Sequence, residues 1–412
     1  LGLVLNVTIP RVLKLFMRAD AVYPLYGFRW WAYESLRRLS NSTVYNQVFG
    51  DSSYIVPYLK AVGLDLGKNA QQSGSNFGVS HKWHTPFLSH VGRGTLISDG
   101  LQFVNVGFSS SSFVLQHASI GAQNFVGNSI VLPAQSRVGD NCLLATKVMV
   151  PTGGEMRENV GLLGSPAFEI PRSVKRDERF DQYKTGAEFR RRRAAKNRSN
   201  LATIALFLVS RWAFSYALIL IMILIGNSND TYDPISVAIG LFATLGFTLF
   251  FWIVLERLSV GLRRLSPQYC SIYEPYYWFH ERYWKINETR WIALFDGTPF
   301  KPIIWRLLGV RVGKKLYDDG SEIIEKTLVD IGDHCTLGAN TIMQSHSLED
   351  GTFKSDHIKI GNRCTLETGS FTHYGIVMAD DVVLKADAFL MKGETPPPGS
   401  TWLGNPAREV RG

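Results

Sequence analysis

The sequence predicts a mainly β fold: tandem parallel β-helices joined by a transmembrane helical hairpin. Two observations carry that expectation. Aliphatic residues recur every six positions in two separate stretches, and two long apolar runs lie between them. In the first stretch Val91, Ile97 and Phe103 stand six apart, and Ile120, Val126, Leu132, Val138, Leu144 and Val150 continue the period. Shifted by 240 residues, the ladder reads Ile331, Leu337 and Met343, then Ile360, Leu366, Met378, Leu384 and Leu390. Both ladders pause for 17 residues at the same point, and both close in Gly-x-Pro-Ala, at Gly164–Ala167 and Gly404–Ala407.

A period of six fits neither a 3.6-residue helix nor an alternating strand. It suits a coil of three short strands, one inward aliphatic side chain per side, with small or left-handed-tolerant residues at the corners. Ile120-Gly121-Ala122, Val138-Gly139-Asp140-Asn141 and Ile360-Gly361-Asn362 read as such corners.

The elements follow in chain order. Residues 1–7 align, at an offset of 247, with 248–254, and the chain starts with Leu rather than Met. Residues 1–20 are therefore expected to be the end of a truncated membrane helix with its juxtamembrane segment. Residues 21–60 form an aromatic juxtamembrane segment in which Trp31 and Glu34 match Trp278 and Glu281. Residues 61–175 are the first coil, expected to be non-catalytic, and 176–200 a basic linker. Residues 201–256 form the membrane hairpin, 257–308 a second aromatic juxtamembrane segment, and 309–412 the second coil, expected to be catalytic.

The apolar runs at 201–225 and 235–255 are each long enough to cross a bilayer, with Arg211 their one charge. The stretch between them is short, polar and acidic, while Arg190 to Arg193, Lys196, Arg198, Arg257, Arg263 and Arg264 flank the pair. The positive-inside rule then places both coils in the cytosol of an integral membrane protein. The net charge of +9 is concentrated beside the membrane, which points to lipid headgroups rather than nucleic acid. Tyr273, Tyr276, Tyr277, Trp278, Phe279, Tyr283 and Trp284 read as an interfacial aromatic belt. Cys142, Cys270, Cys335 and Cys364 lack CxxC spacing and read as reduced thiols.

The chemistry is expected in the second pause, Gln344 to His357. His346 falls there, while its counterpart in the first copy is Val106. An imidazole titrates near neutral pH and suits a general base, and Glu349 or Asp350 is placed to orient it. His357 matches His117, which points to a role in the turn common to both copies. His373 follows position 372, which belongs to the inward ladder; it lines the same cleft or is a satisfied core histidine. The rung spacing does not bring three of His334, His346, His357 and His373 together, so no metal is expected. His81 and His84 read as structural.

The hexad ladder, the histidine-bearing excursion and the closing Gly-Asn-Pro-Ala together resemble the hexapeptide-repeat acyltransferases. That resemblance implies a left-handed parallel β-helix, His346 as the base that activates an amine or hydroxyl, and a thioester as acyl donor. It places Trp402, Gly404, Asn405, Pro406 and Ala407 beside the thioester carrier's path. A narrower resemblance covers nearly the whole chain. SHSLEDGTFKSD, FDGTPFK, LLGSPAFEIPR and CLLATKVMVP look like the C-terminal region of membrane-bound nonribosomal peptide synthetases of the ε-poly-lysine synthetase type. This implies upstream adenylation and carrier domains, and a third acyltransferase-like unit before residue 1. Soluble relatives are trimers with sites between subunits, so a homo-oligomer or linked units that imitate one is implied.

No cofactor is expected to bind directly. A carrier's phosphopantetheine arm would present the aminoacyl group, with coenzyme A as the alternative. Asp318, Asp319, Glu349, Asp350 and Asp356 are the candidates to hold an amino-acid ammonium, with Lys354, His357, His373 and Tyr374 beside them. A lysine ε-amine would then attack the thioester to give a poly-ε-lysine-like product. Two rivals stand: a membrane-bound acetyl-CoA-dependent O/N-acetyltransferase, and a non-catalytic anchor of a synthetase.

Overall fold

The computed structural model describes residues 1–68, 71–72, 82–153, 155–171, 178–227 and 234–410. His81 and most of the polar stretch between the two long apolar helices lie outside them. Each aliphatic ladder folds into a coil with three parallel sheets as its sides. In the first coil Leu66, Val91, Ile120 and Val138 stack in register on one side, and Ile97, Val126, Leu144 and Leu162 on the next. Trp83, Phe103 and Leu132 stack on the third. In the second coil the stacks are Val312, Ile331, Ile360 and Met378; then Asp318, Leu337, Leu366, Leu384 and Trp402; then Ile323, Met343, Thr372 and Leu390. Each coil has its own apolar core.

The corners divide their labour differently from the expectation. The left-handed residue of each turn is the third, as at Gln123, Ser129, Gln135, Asn141 and Lys147, each with φ between 54° and 64°. Gly121, Gly139 and Gly361 are not left-handed; they are needed because stacked turns touch. A Cβ on Gly361 would lie 2.6 Å from the Ala379 carbonyl carbon and 2.7 Å from its oxygen. Backbone of the next turn cannot yield as a flexible side chain would.

The class is mixed rather than mainly β. Strands are only 2 to 4 residues long, whereas the helices Gly186–Asn227 and Pro234–Ser259 contain 42 and 26 residues. A coil interrupted by a corner every six residues spends much of its chain on turns. Both long helices are apolar enough to cross a membrane by length and composition, and only 6% of each apolar window is buried inside the protein. A soluble core helix would be covered. Residues 186–200, expected as a linker, are the opening turns of the first long helix. Arg211 of that helix donates to Ile286 O at 2.9 Å and Asn287 O at 3.2 Å, at the carbonyl end of the helix Pro275–Ile286. A cation is stabilised at a helix C-terminus.

Each pause in the ladder is a β-hairpin carrying a third strand from the juxtamembrane segment. Val22–Pro24 pairs with Ser112–Leu115, which pairs with Val106–Phe108. Gln268–Ser271 pairs with Thr352–Ser355, which pairs with His346–Ser347. Tyr23 faces Phe113 and Cys270 faces Phe353, so the offsets of 247 and 240 describe one geometry.

The coils lie against one another. Ser165 N donates to Asn405 O at 3.3 Å, and Asn405 Nδ2 donates to Lys147 O at 3.0 Å. Lys147 Nζ reaches Gly369 O at 2.7 Å and also pairs with Asp387. Leu96 and Phe125 of the first coil share a buried cluster with Ile272, Tyr273, Tyr277, Trp284, Leu348 and Phe353 of the second unit. Gly361→Ala is expected to lower unfolding free energy by about 1–3 kcal/mol, the cost of overpacking. Gly153→Ala, with nothing within 4 Å of the new Cβ, should change it by less than about 0.5 kcal/mol. Denaturant unfolding of the detergent-solubilised protein checks both.

Candidate active site at the junction of coil, hairpin and helix

His346 begins the short strand that leaves the second coil, paired with Ser355. The hairpin closes through Glu349–Gly351, where Asp350 has φ 53° and Gly351 φ 80°. The His346 ring is 2% exposed and packs on Trp284, with centroids 4.6 Å apart, and on Phe353. Its Nδ1 lies 2.7 Å from Glu325 Oε1.

Glu325 precedes the 3₁₀ turn Lys326–Leu328 and is fully buried. Its Oε1 also accepts Trp284 Nε1–H at 2.9 Å and faces His280 Nε2 at 3.3 Å, while Oε2 accepts Ser345 N–H at 2.9 Å. Burial alone would raise this carboxyl, but His346 and His280 hold it well below the usual carboxylate range. An ionised Glu325 fixes the proton of His346 on Nδ1 and leaves Nε2 with a lone pair. Gln344 Nε2 stands 3.4 Å from that Nε2, and Gln344 Oε1 accepts a hydrogen bond from Asn128 of the first coil. A base held by a carboxylate on one nitrogen, with only the Gln344 amide at the other, has the polarity that proton abstraction needs once that amide is displaced.

Lys326, the next residue, is anchored by the second long apolar helix. Its Nζ lies 3.0 Å from Glu256 near the end of the helix Pro234–Ser259, and Tyr283 OH donates to the same carboxylate at 3.2 Å. The expected aromatic belt is therefore corrected in part. Tyr273, Tyr277, Tyr283 and Trp284 are buried between the coils, because their helix is wedged there, whereas Phe279 is 60% exposed. One member of the basic run is also committed inside the protein, where Lys196 forms a buried ion pair with Glu281 at 2.6 Å; Arg191 and Arg192 pair with Glu188 on the helix surface.

The other sequence candidates are scattered. Glu349 is ion-paired with Lys392 at 2.6 Å and does not reach the His346 ring; Asp350 is buried at the hairpin tip, facing a cleft of about 330 Å³ between the coils. Asp356 is exposed and caps His357 N–H at 2.7 Å. Lys354 lies over the Tyr269 ring. Tyr374 OH accepts from Ser347 Oγ at 3.4 Å, on the same side as the hairpin base. His373 is 9% exposed, packed among the rings of Phe371, Tyr374 and Phe389, and accepts Tyr374 N–H on Nδ1 at 3.1 Å. Asp318 occupies an inward rung and is fully used by Lys301, Trp305 and Ser321, while Asp319 is exposed. Asn405 forms part of the inter-coil contact, with Pro406 and Ala407 buried and Gly404 and Trp402 nearer the surface. His334 sits exposed at a corner with φ 60°. Among the described residues no three of His, Cys, Asp or Glu are grouped as metal ligands.

Glu325, His280, Trp284, Gln344 and Asn128 were missed. For two of them the signal was present. The counterparts of Glu325, His346 and His280 in the first unit are Thr85, Val106 and Tyr33, so the comparison that singled out His346 also marks its partners. In the first unit Tyr33 OH bonds His84 Nδ1 at 2.8 Å instead.

No family profile matches the chain. It is 27% identical over 358 residues to the delta-poly-L-ornithine synthetase of Acinetobacter baumannii, an alignment that takes in 86% of this chain and 26% of that protein. The chain thus spans about a quarter of that relative's length. Solved structures with partial similarity include a hexapeptide-repeat acetyltransferase of Vibrio cholerae complexed with acetyl coenzyme A (17% identity, 25% of this chain and 60% of that one, TM-score 0.23). A maltose O-acetyltransferase of Clostridium difficile (22%, 29% and 81%, TM-score 0.24) and soybean serine acetyltransferase (16%, 52% and 69%, TM-score 0.24) are two more.

Burial, above all, pushes the His373 imidazole down to about 3. The unfolded chain therefore takes up that proton first as pH falls below about 6.5, and stability is lost from there towards pH 3. Stability is expected to fall through this window, and His373→Gln should remove a slope of up to about 1.4 kcal/mol per pH unit. Urea unfolding at pH 4, 5, 6 and 7 measures the difference.

Proposed function

We propose that this chain is the acyl-transfer region of a membrane-bound peptide synthetase that joins basic amino acids through a side-chain amine. The Glu325–His346 pair is the observation that carries this reading. In it, both coils are left-handed and cytosolic, and the carrier's phosphopantetheine arm, or coenzyme A in the rival chemistry, brings the acyl thioester. The attacking amine donates a hydrogen bond to His346 Nε2, in the place where the Gln344 amide now stands. As its nitrogen attacks the thioester carbonyl, Nε2 takes the proton, and Glu325 stabilises the imidazolium that forms. Collapse of the tetrahedral intermediate forms the amide and expels the thiolate, which recovers the proton. Similarity to a delta-poly-L-ornithine synthetase supports a basic amino acid as substrate, ornithine alongside the lysine that the sequence resemblance implies.

A third unit is part of the proposal. Tyr26, Trp31 and Phe108 of the first unit are 87%, 57% and 52% exposed, while Tyr273 and Leu348, the counterparts of Tyr26 and Phe108, are 5% and 2% exposed where they meet the first coil. A further coil on that patch would repeat the contact already made once. The anchoring reading is favoured by one observation, the 2% exposure of the His346 ring.

In the complete synthetase, supplied with amino acid and ATP, His346→Ala is expected to slow product formation about 10²–10⁴-fold, the usual contribution of a general base. Glu325→Gln keeps the shape but removes the charge, and should cost at least about 10-fold. Val106→Ala should leave the rate within about twofold, since no proton moves there. Mass spectrometry of the polymer reads all three. Unchanged product from folded His346→Ala protein leaves only the anchor.

A further inference from the structure

A cavity of about 580 Å³ lies between the two units on the membrane side of the site. Trp284 is the shared wall: it lines the cavity and also packs against the His346 ring. We infer that this cavity binds a primary alkylammonium chain, with Asp51 and Glu322 as its acceptors. Taken as the acceptor amine's site, it rests on the acyl-transfer reading; as an ammonium site it does not.

The argument is one of donors and acceptors. The cations that line the cavity are already engaged. Lys285 Nζ donates to Gln47 O at 2.8 Å and to Gly50 O. Lys301 pairs with Asp296 and Asp318, and Lys326 with Glu256. Arg290 pairs with Glu288 at 2.8 Å, and Arg211 caps carbonyls as described.

The acceptors show the opposite. Asp51 is 6% exposed, and its buried Oδ1 has no hydrogen-bond partner. Asn287 Oδ1, on the same lining, is also unpartnered. Glu322 lines the cavity with its side chain exposed to it, and makes no ion pair among the described residues. A buried acceptor without a donor is costly, and an ammonium brings three N–H groups and a charge. Burial also raises the Asp51 carboxyl, with Lys285 opposing, so a cation arriving beside it favours the ionised form. The two carboxylates come from different units, which makes the site a property of their contact.

The full chain in lipid nanodiscs, titrated calorimetrically with 1,5-diaminopentane and separately with 1,5-pentanediol, tests this. The diamine should bind and the diol should not. Asp51→Asn, close to isosteric, should weaken diamine binding about 10-fold or more, and Glu322→Gln about 3- to 10-fold, as expected for a lost charge-assisted hydrogen bond. The proposal is overturned if wild type ignores the diamine at millimolar concentration, if the diol binds equally, or if the double variant melts as wild type and keeps wild-type affinity. A double variant that no longer melts cooperatively leaves the decision to Asp51→Asn alone. The acyl-transfer reading fails on different data, the polymer yield of His346→Ala.

Discussion

One carboxylate with no access to water holds the site together. Glu325 carries its charge at zero exposure, and an isolated buried carboxylate is far too costly to persist. It persists because four donors from two parts of the chain converge on it: His346 and Ser345 from the hairpin base, and His280 and Trp284 from the juxtamembrane helix. Remove any of these elements and the charge is left uncompensated. The coil, the hairpin and the wedge helix are therefore obliged to meet in one arrangement, and that arrangement sets His346 Nε2 against the Gln344 amide.

The duplicated unit shows the same scaffold without that obligation. With Thr85, Val106 and Tyr33 in place of the carboxylate and two imidazoles, nothing charged needs solvation. The space closes around Phe113, Leu115, Tyr33 and Leu88 as ordinary core. Both units nevertheless keep the three-stranded excursion and the capped coil. The first unit contributes Asn128 to the surroundings of the second unit's histidine, and supplies the surface on which the wedge helix lies. Pairs 240 apart touch each other, Lys147 with Asp387 and Ser165 with Asn405, so the two coils run side by side along equivalent edges.

Much of this was legible. A period of six is a local property, since each inward side chain needs only its own side of the coil, and positions such as Ile120, Val138, Ile360 and Met378 fall in register on the inner face. His346 was visible because a histidine against a valine is a chemical difference between two copies. Glu325 was harder to see, since a glutamate followed by lysine in IIEKTL reads as a solvated pair. Its burial comes from a helix that arrives from 40 residues upstream. The same helix misled the reading of Tyr277 and Trp284: aromatic residues beside a membrane span have one composition whether they face lipid or a protein wedge. Gly361 was read as a conformational residue because sequence shows the turn but not the turn stacked beneath it.

The carboxylate of Glu256 closes the last turns of a helix whose other surface is apolar and uncovered, and it grips Lys326 and Tyr283 beside the histidine's partner. On the acyl-transfer reading, with this helix spanning a bilayer, the lipid is mechanically in series with the His346 imidazole. On that reading, thinning the surrounding lipid, or exchanging it for a micelle that lets this helix tilt, shifts the carboxylate by its attachment alone and alters the proposed proton transfer without touching a group that would meet substrate.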